Sequence, residues 1–180
     1  ISINWNGYPL DESIRSLQYL FNPDEPAPGK TESYSNVTGL FQIDENGYYY
    51  YNMRKNFAEF VPDKEKADTG KFVLYDAPAF ERTDGTEWGQ FFPFNKAATV
   101  FDVGPDGKLT SNVSPSAPGV DHHLGMTIET DFRQPVGGRV GSNPMTFDFA
   151  GDDDVWVFID DVLTLDLGGI PSELYGSVDF

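Results

Sequence analysis

"GDDDVWVFIDDVLTLDLGG", residues 151–169, decides how this chain folds. Its apolar run Val155–Ile159 is short, rich in β-branched and aromatic residues, and apolar on both faces, as expected of a central strand in a two-layer sheet. Beyond Asp160-Asp161 the sequence alternates, with Leu163, Leu165 and Leu167 inward and Thr164 and Asp166 outward. The two runs are therefore expected to form a hairpin turning at Asp160-Asp161, with Trp156 in the core.

Working outward, "MTFDFAG" (145–151) reads as a strand in which Phe147 and Phe149 share a face and Gly151 ends regular pairing. "HHLGMTIETDFRQ" (122–134) is read as a strand, "PVGGRVGSNP" (135–144) as a glycine-rich turn and "LYGSVDF" (174–180) as a further strand. Upstream, "GLFQIDENGYYYYN" (39–52) predicts two strands around Asn46-Gly47, and Lys71–Tyr75 a third. "TVFDVGPDGKLT" (99–110) predicts a hairpin turning at Pro105-Asp106-Gly107, while Pro93 in "EWGQFFPFN" forbids a central strand position. The one persuasive helix is "PLDESIRSLQYLF" (9–21), with Asp11 or Ser13 as its N-cap.

The 180 residues, 39% of them hydrophobic, suffice for one domain with a real core, and the 15 Phe, 9 Tyr, 18 Gly and 13 Pro favour an all-β domain. There is no cysteine, which excludes a disulfide framework and thiolate metal sites. A net charge of −17 repels phosphates and makes nucleic acid or an anionic membrane an unsuitable partner. No run approaches a membrane span, and the start lacks a signal-peptide pattern, so the chain reads as part of a longer or processed protein. Nucleophile-elbow, phosphate-loop, HExxH and dinucleotide motifs are absent, and no carboxylate pair can be selected as an acid and base; the expectation is a protein that is not an enzyme.

Asp152, Asp153 and Asp154 admit two readings. They are solvated turn residues, or the start of a calcium site, since calcium takes six to eight oxygen ligands. Adjacent carboxylates in an extended strand point to opposite faces, so joint ligation needs a bend at Gly151 or a cis Asp-Asp peptide. Asp121-His122-His123 reads as structural. Trp88 is a candidate for stacking on sugar, less so the Tyr48–Tyr51 run.

"FAGDDDVWVFIDDVLTLDLGGI" (149–170) resembles the core motif of fibro-slime domains, a branch of the PA14 superfamily found in bacterial surface proteins and slime-mould secreted factors. "NFAEF", "GKFVLYDAPAF", "GQFFPFN" and "HHLGMTIETDF" extend the resemblance to about residues 45–180. It implies a PA14-like antiparallel β-sandwich or barrel with one short N-terminal helix over 1–180, lacking its last strands, whose open edge another chain or segment would complete. It also implies Ca²⁺ held by Asp152 and Asp153, with Asp154 either a further ligand or, by preference, a turn residue. Asp161 departs from the family's usual Gly, and Pro171 from its usual His.

The function so implied is calcium-dependent carbohydrate binding by an adhesin-type module of a secreted or cell-wall-attached bacterial protein, with a glycan or cell-surface ligand as partner and Asp152, Asp153 and Trp88 touching it. The alternatives are a structural or protein-binding spacer without sugar binding, and an accessory domain of a carbohydrate-active enzyme. On a bacterial source, the sequons Asn36-Val37-Thr38 and Asn112-Val113-Ser114 are incidental.

Overall fold

Short antiparallel pairs, each closed by a tight turn, account for nearly all regular structure in the computed structural model, which describes residues 32–76, 91–112, 120–121, 124–151, 154–169 and 173–180. The chain divides into two compact units, Ile1–Ile128 and Glu129–Phe180. The all-β expectation holds. Among the described residues the strands form two-stranded sheets and close no barrel. The expected helix over 9–21 lies outside the described residues.

In the first unit β1 (Gln42–Ile43) pairs with β2 (Tyr49–Tyr50), and β3 (Asn56–Pro62) with β4 (Gly70–Asp76) over its whole length, Asn56 opposite Asp76 and Pro62 opposite Gly70. A single helical turn, α1 (Ala97–Val100), leads into β5 (Phe101–Val103), which pairs with β6 (Leu109–Asn112). Sequence periodicity is too long-ranged a signal for so short a helix, and α1 was not among the predicted elements. The Glu59 carboxylate on β3 accepts its first amide, Ala97 N–H, at 2.7 Å.

Both predicted turns fall where expected, by a mechanism that the Asn-Gly and Asp-Gly pairs only partly reveal. At 44–48 and again at 104–108 the loop has three residues: a turn bond (Gly47 N–H to Asp44 O, Gly107 N–H to Gly104 O) followed by a glycine at φ +87° or +80°. Only glycine takes that conformation without strain. Asp44 adds a side-chain clamp, accepting from Asn46 N–H and Tyr48 N–H at 2.8 and 2.9 Å.

The core of this unit is Phe57, Ala97, Val100, Phe101 and Leu109, with Tyr75 and Phe92 packed against it. Phe57 and Phe101 meet edge to face at 5.2 Å. A second aromatic group surrounds Phe60, with Tyr34, Phe72 and Phe94 rings at 4.3, 5.9 and 5.7 Å. Pro93, excluded from a central strand by the reading above, lies in the turn before α1, and its carbonyl accepts Phe60 N–H at 2.7 Å. Buried Asn95 donates to Phe92 O and Asp121 O and accepts from Asp121 N–H, which satisfies the polar group and ties 120–121 to the turn.

In the second unit β7 (Arg139–Val140) and β8 (Asn143–Pro144) form a small hairpin inside the predicted glycine-rich turn. β9 (Thr146–Gly151) pairs antiparallel with β12 (Leu174–Asp179), and between them lies the hairpin of β10 (Trp156–Ile159) and β11 (Val162–Asp166). Gly151 is the last paired residue of β9, opposite Leu174, as the sequence suggested. One predicted strand is corrected: residues 124–134 form no ladder, and Ile128 and Phe132 are exposed. Alternation makes a segment able to pair, but a strand exists only where a neighbour supplies the hydrogen bonds.

Candidate functional site

The hairpin turns through Asp160 and Asp161 with both residues left-handed, at φ +48° and +64°. This is the conformation that a two-residue hairpin loop requires, and it places Ile159 opposite Val162. Asp adopts it at a cost of about 1–2 kcal/mol per residue relative to its preferred basins, part of which glycine would avoid.

From the turn, Phe158 faces Leu163; the register then shifts, so that Val157 faces Leu165 and Trp156 faces Asp166. Thr164 is the extra residue of a β-bulge. The bulge separates leucines that simple alternation keeps together. Leu165 turns toward β12, where a Cβ on Gly176 would lie 2.7 Å from its Cδ2 and 2.8 Å from Leu167 Cδ1. A side chain at 176 would force these leucine ends to shift. Leu163 turns the other way and joins Trp156 and Phe158 on an exposed face.

Three expectations are corrected here. Trp156 and Phe158 are not core residues: they are 52% and 61% exposed, whereas Val157 and Ile159 on the opposite face are half-buried. Among the described residues β10 has one strand neighbour, β11, and holds no central position. Leu163 is likewise exposed, at 45%.

Two carboxylates close the open end of the hairpin. Asp154 Oδ1 accepts Gly169 N–H, and Asp166 Oδ1 accepts Gly168 N–H, both at 2.8 Å. Leu167 N–H donates to Val155 O at 2.9 Å and continues the ladder to that point. Asp154 therefore acts as a brace between the acidic segment and the 166–169 loop. Asp152, Asp153 and Trp88 lie outside the described residues, as do His122 and His123. Among the described residues no group of three or more His, Asp or Glu could hold a metal ion.

Sequence reasoning missed a polar cluster on the β9–β12 sheet. Asp148 Oδ1 accepts from the Tyr175 hydroxyl at 2.8 Å and Oδ2 from the Thr146 hydroxyl at 2.9 Å. Hydrogen bonding from Ser177, its cross-strand partner, is the main cause holding the Asp148 carboxyl below its ordinary value; burial opposes it, and bonds from Tyr175 and Thr146 assist to a lesser extent. The bond to Asp148 in turn raises the Tyr175 phenol. The signal was present: Thr146 with Asp148, and Tyr175 with Ser177, are polar pairs at period two on facing strands.

The sequence that follows Arg139 is anionic. Residues 140–180 contain nine Asp and Glu and no Lys or Arg.

No family model matches the chain, and no solved structure does. Similar proteins are the psi proteins of Dictyostelium discoideum. Protein psiD is 42% identical over 75 residues, which is 40% of this chain and 14% of psiD. Protein psiE is 38% identical over 89 residues, 49% of this chain and 16% of psiE. Protein psiG is 65% identical over 34 residues, 19% of this chain and 5% of psiG. The match thus covers about a sixth or less of the length of these relatives. They overturn the expectation of a bacterial fibro-slime module of the PA14 superfamily, and with it the bacterial adhesin and carbohydrate-binding assignments.

Replacing Asp161→Gly relieves left-handed strain in the turn and is expected to raise the urea midpoint by the equivalent of up to about 1 kcal/mol, whereas Asp161→Ala, which keeps the strain without glycine's freedom, should lower it; a midpoint higher in the Ala variant than in the Gly variant would refute the strained turn. Because the Asp148 carboxyl is depressed in the folded state, its contribution is complete above the unfolded pKa of about 3.9 and is lost as pH falls through the folded value. The Asp148→Asn variant should lose that part of the acid-side decline in unfolding midpoint, and identical pH slopes in the two proteins would refute the cluster's role.

Proposed function

We propose that this chain is a non-catalytic protein-binding module of a longer, secreted or cell-surface protein. The observation that carries this reading is the exposed hairpin face of Trp156, Phe158 and Leu163, bordered by Asp154, Asp160, Asp161 and Asp166. Contiguous large apolar side chains on a soluble surface mark interaction sites more often than chance, and exposed aromatic residues are enriched at interface hot spots. Charge selects the partner's chemistry: with no cation in 140–180, a segment carrying Lys or Arg among apolar residues matches both features. The relatives support a modular role, since the shared stretch is a small part of much longer proteins.

A fluorescent peptide alternating Arg and Leu is expected to bind the chain at least roughly tenfold more tightly than its Glu and Leu counterpart, and to weaken as salt shortens the screening length. Trp156→Ser combined with Phe158→Ser should weaken binding of the Arg and Leu peptide by roughly tenfold or more, without loss of the β-sheet circular dichroism signal. Equal affinity for the two peptides would defeat the proposal.

Calcium belongs to a second reading, favoured by the anchored flanks of the acidic pair. Gly151 is fixed in β9 opposite Leu174, and Asp154 is fixed to Gly169. With one Asp154 oxygen engaged by an amide, Asp152 and Asp153 are the carboxylates that would hold the ion, and its charge would relieve repulsion between them. If they do, calcium at about a hundredfold over its dissociation constant stabilises the fold by about 2.7 kcal/mol. Thermal melts should then rise with Ca²⁺, fall with a chelator, and become indifferent to both in the Asp152→Asn, Asp153→Asn double variant, while Asp154→Asn retains the response. A wild-type melt insensitive to Ca²⁺ ends this reading.

A further inference from the structure

We infer that Asn36 is an acceptor for N-linked glycan, a modification that rests on the secreted reading above. Asn36-Val37-Thr38 satisfies the acceptor pattern, in which the residue after Asn is not proline and a hydroxyl follows one position later. The relatives come from a eukaryote, which removes the ground on which the sequon was incidental.

The local geometry separates the acceptor from the scaffold. Asn36 and Thr38 are exposed, and Val37 between them is half-buried. Asn36 is left-handed at φ +52°, a conformation that Asn tolerates better than most residues and that projects the side chain from a turn. The turn is held by other atoms: Ser35 N–H donates to Asp68 O at 2.7 Å, the Thr69 hydroxyl to Asn36 O at 3.3 Å, and Phe72 N–H to Thr38 O at 2.8 Å. Just before it, the Tyr34 ring rests on Phe60 at 4.3 Å. Among the described residues the Asn36 amide itself makes only a long contact, 3.4 Å to Ser35 Oγ. Among the described residues, a glycan on Nδ2 therefore displaces no packing and breaks no backbone bond. Asn112 differs, being paired with Phe101 inside β6 while Ser114 lies outside the described residues.

The donor is an oligosaccharide linked through C1 to a lipid pyrophosphate, brought by a transferase of the secretory pathway. A bond forms between Nδ2 and C1, the bond between C1 and the pyrophosphate oxygen breaks, Nδ2 gives up one proton, and the lipid pyrophosphate leaves. No oxidant or reductant is involved.

The test directs the full 180-residue chain through a eukaryotic secretory pathway behind a cleavable leader and maps the secreted product by peptide mass spectrometry. A glycosidase that converts glycosylated Asn to Asp marks the site. Glycan at Asn36 is expected, lost completely in both Asn36→Asp and Thr38→Ala and retained in Thr38→Ser. Asp keeps the left-handed preference, and Thr38→Ala leaves position 36 untouched, so loss in both variants reports the sequon and not the fold. An unmodified Asn36 in secreted wild-type chain overturns the inference. Fractionating the natural protein between medium and cell lysate tests the location separately: an acceptor that works in the directed chain, in a protein that stays in the cytosol, defeats the secreted reading and leaves the acceptor geometry standing.

Discussion

One extra residue in β11 determines which side chains of the C-terminal unit meet solvent. In an unbulged ladder from the same Asp160-Asp161 turn, Trp156, Phe158, Leu163 and Leu165 would share one face, and Val157, Ile159, Val162 and Thr164 the other. Such a hairpin presents its bulk on one side and β-branched residues on the other. The bulge at Thr164 moves Leu165 across, where the missing side chain of Gly176 lets it lie against β12. It also brings Asp166 opposite Trp156, in position to accept Gly168 N–H. The packing of β11 on β12 and the exposure of the aromatic face are thus one event.

The N-terminal unit solves a different problem, how to bury a small core without long strands. Phe57 and Phe101 come from different hairpins, and α1 supplies Ala97 and Val100 beside them. Each irregular joint is held by a polar side chain with its partners in place. Glu59 takes the first amide of α1, Asn95 exchanges bonds with Asp121, and Asn56 accepts from Gln42 and donates to Asp76 at 2.7 and 3.2 Å. A buried polar group left unmatched costs about 1–3 kcal/mol, so these bonds specify the connections as much as they stabilise them.

The parts of this structure legible in the sequence are those set by local chemistry. The alternation of Thr146–Gly151, the glycines after Asn46 and Asp106, and the turn at Asp160-Asp161 each dictate their own backbone. What was misread depends on neighbours. The strand expected over 122–134 lacks a ladder in its described part because alternation cannot supply a partner, and Val155–Ile159 resembled a central strand because an apolar run does not reveal how many strands flank it. The bulge was hidden for a further reason: Thr164 is as acceptable in a regular strand as in a bulge. Of the site, the bond from Gly169 N–H to Asp154 was not legible, because it joins residues fifteen apart that only the hairpin brings together.

The electrostatics constrain whatever binds this unit. Asp148, Asp154 and Asp166 are each satisfied by neutral donors, hydroxyls in the first case and backbone amides in the others. Such bonds stabilise a carboxylate without cancelling its charge, and no Lys or Arg follows Arg139 to do so. The field of nine acids therefore extends into solvent over about a screening length of 8 Å at physiological salt. An apolar partner that carried negative charge would gain from covering Trp156 and Phe158 but would lose by repulsion at every border residue. A cation, whether metal or side chain, gains on both counts once it is attached to something that fills the aromatic face. On the proposed reading, hydrophobic contact would supply the affinity at this hairpin and the acidic border its selectivity.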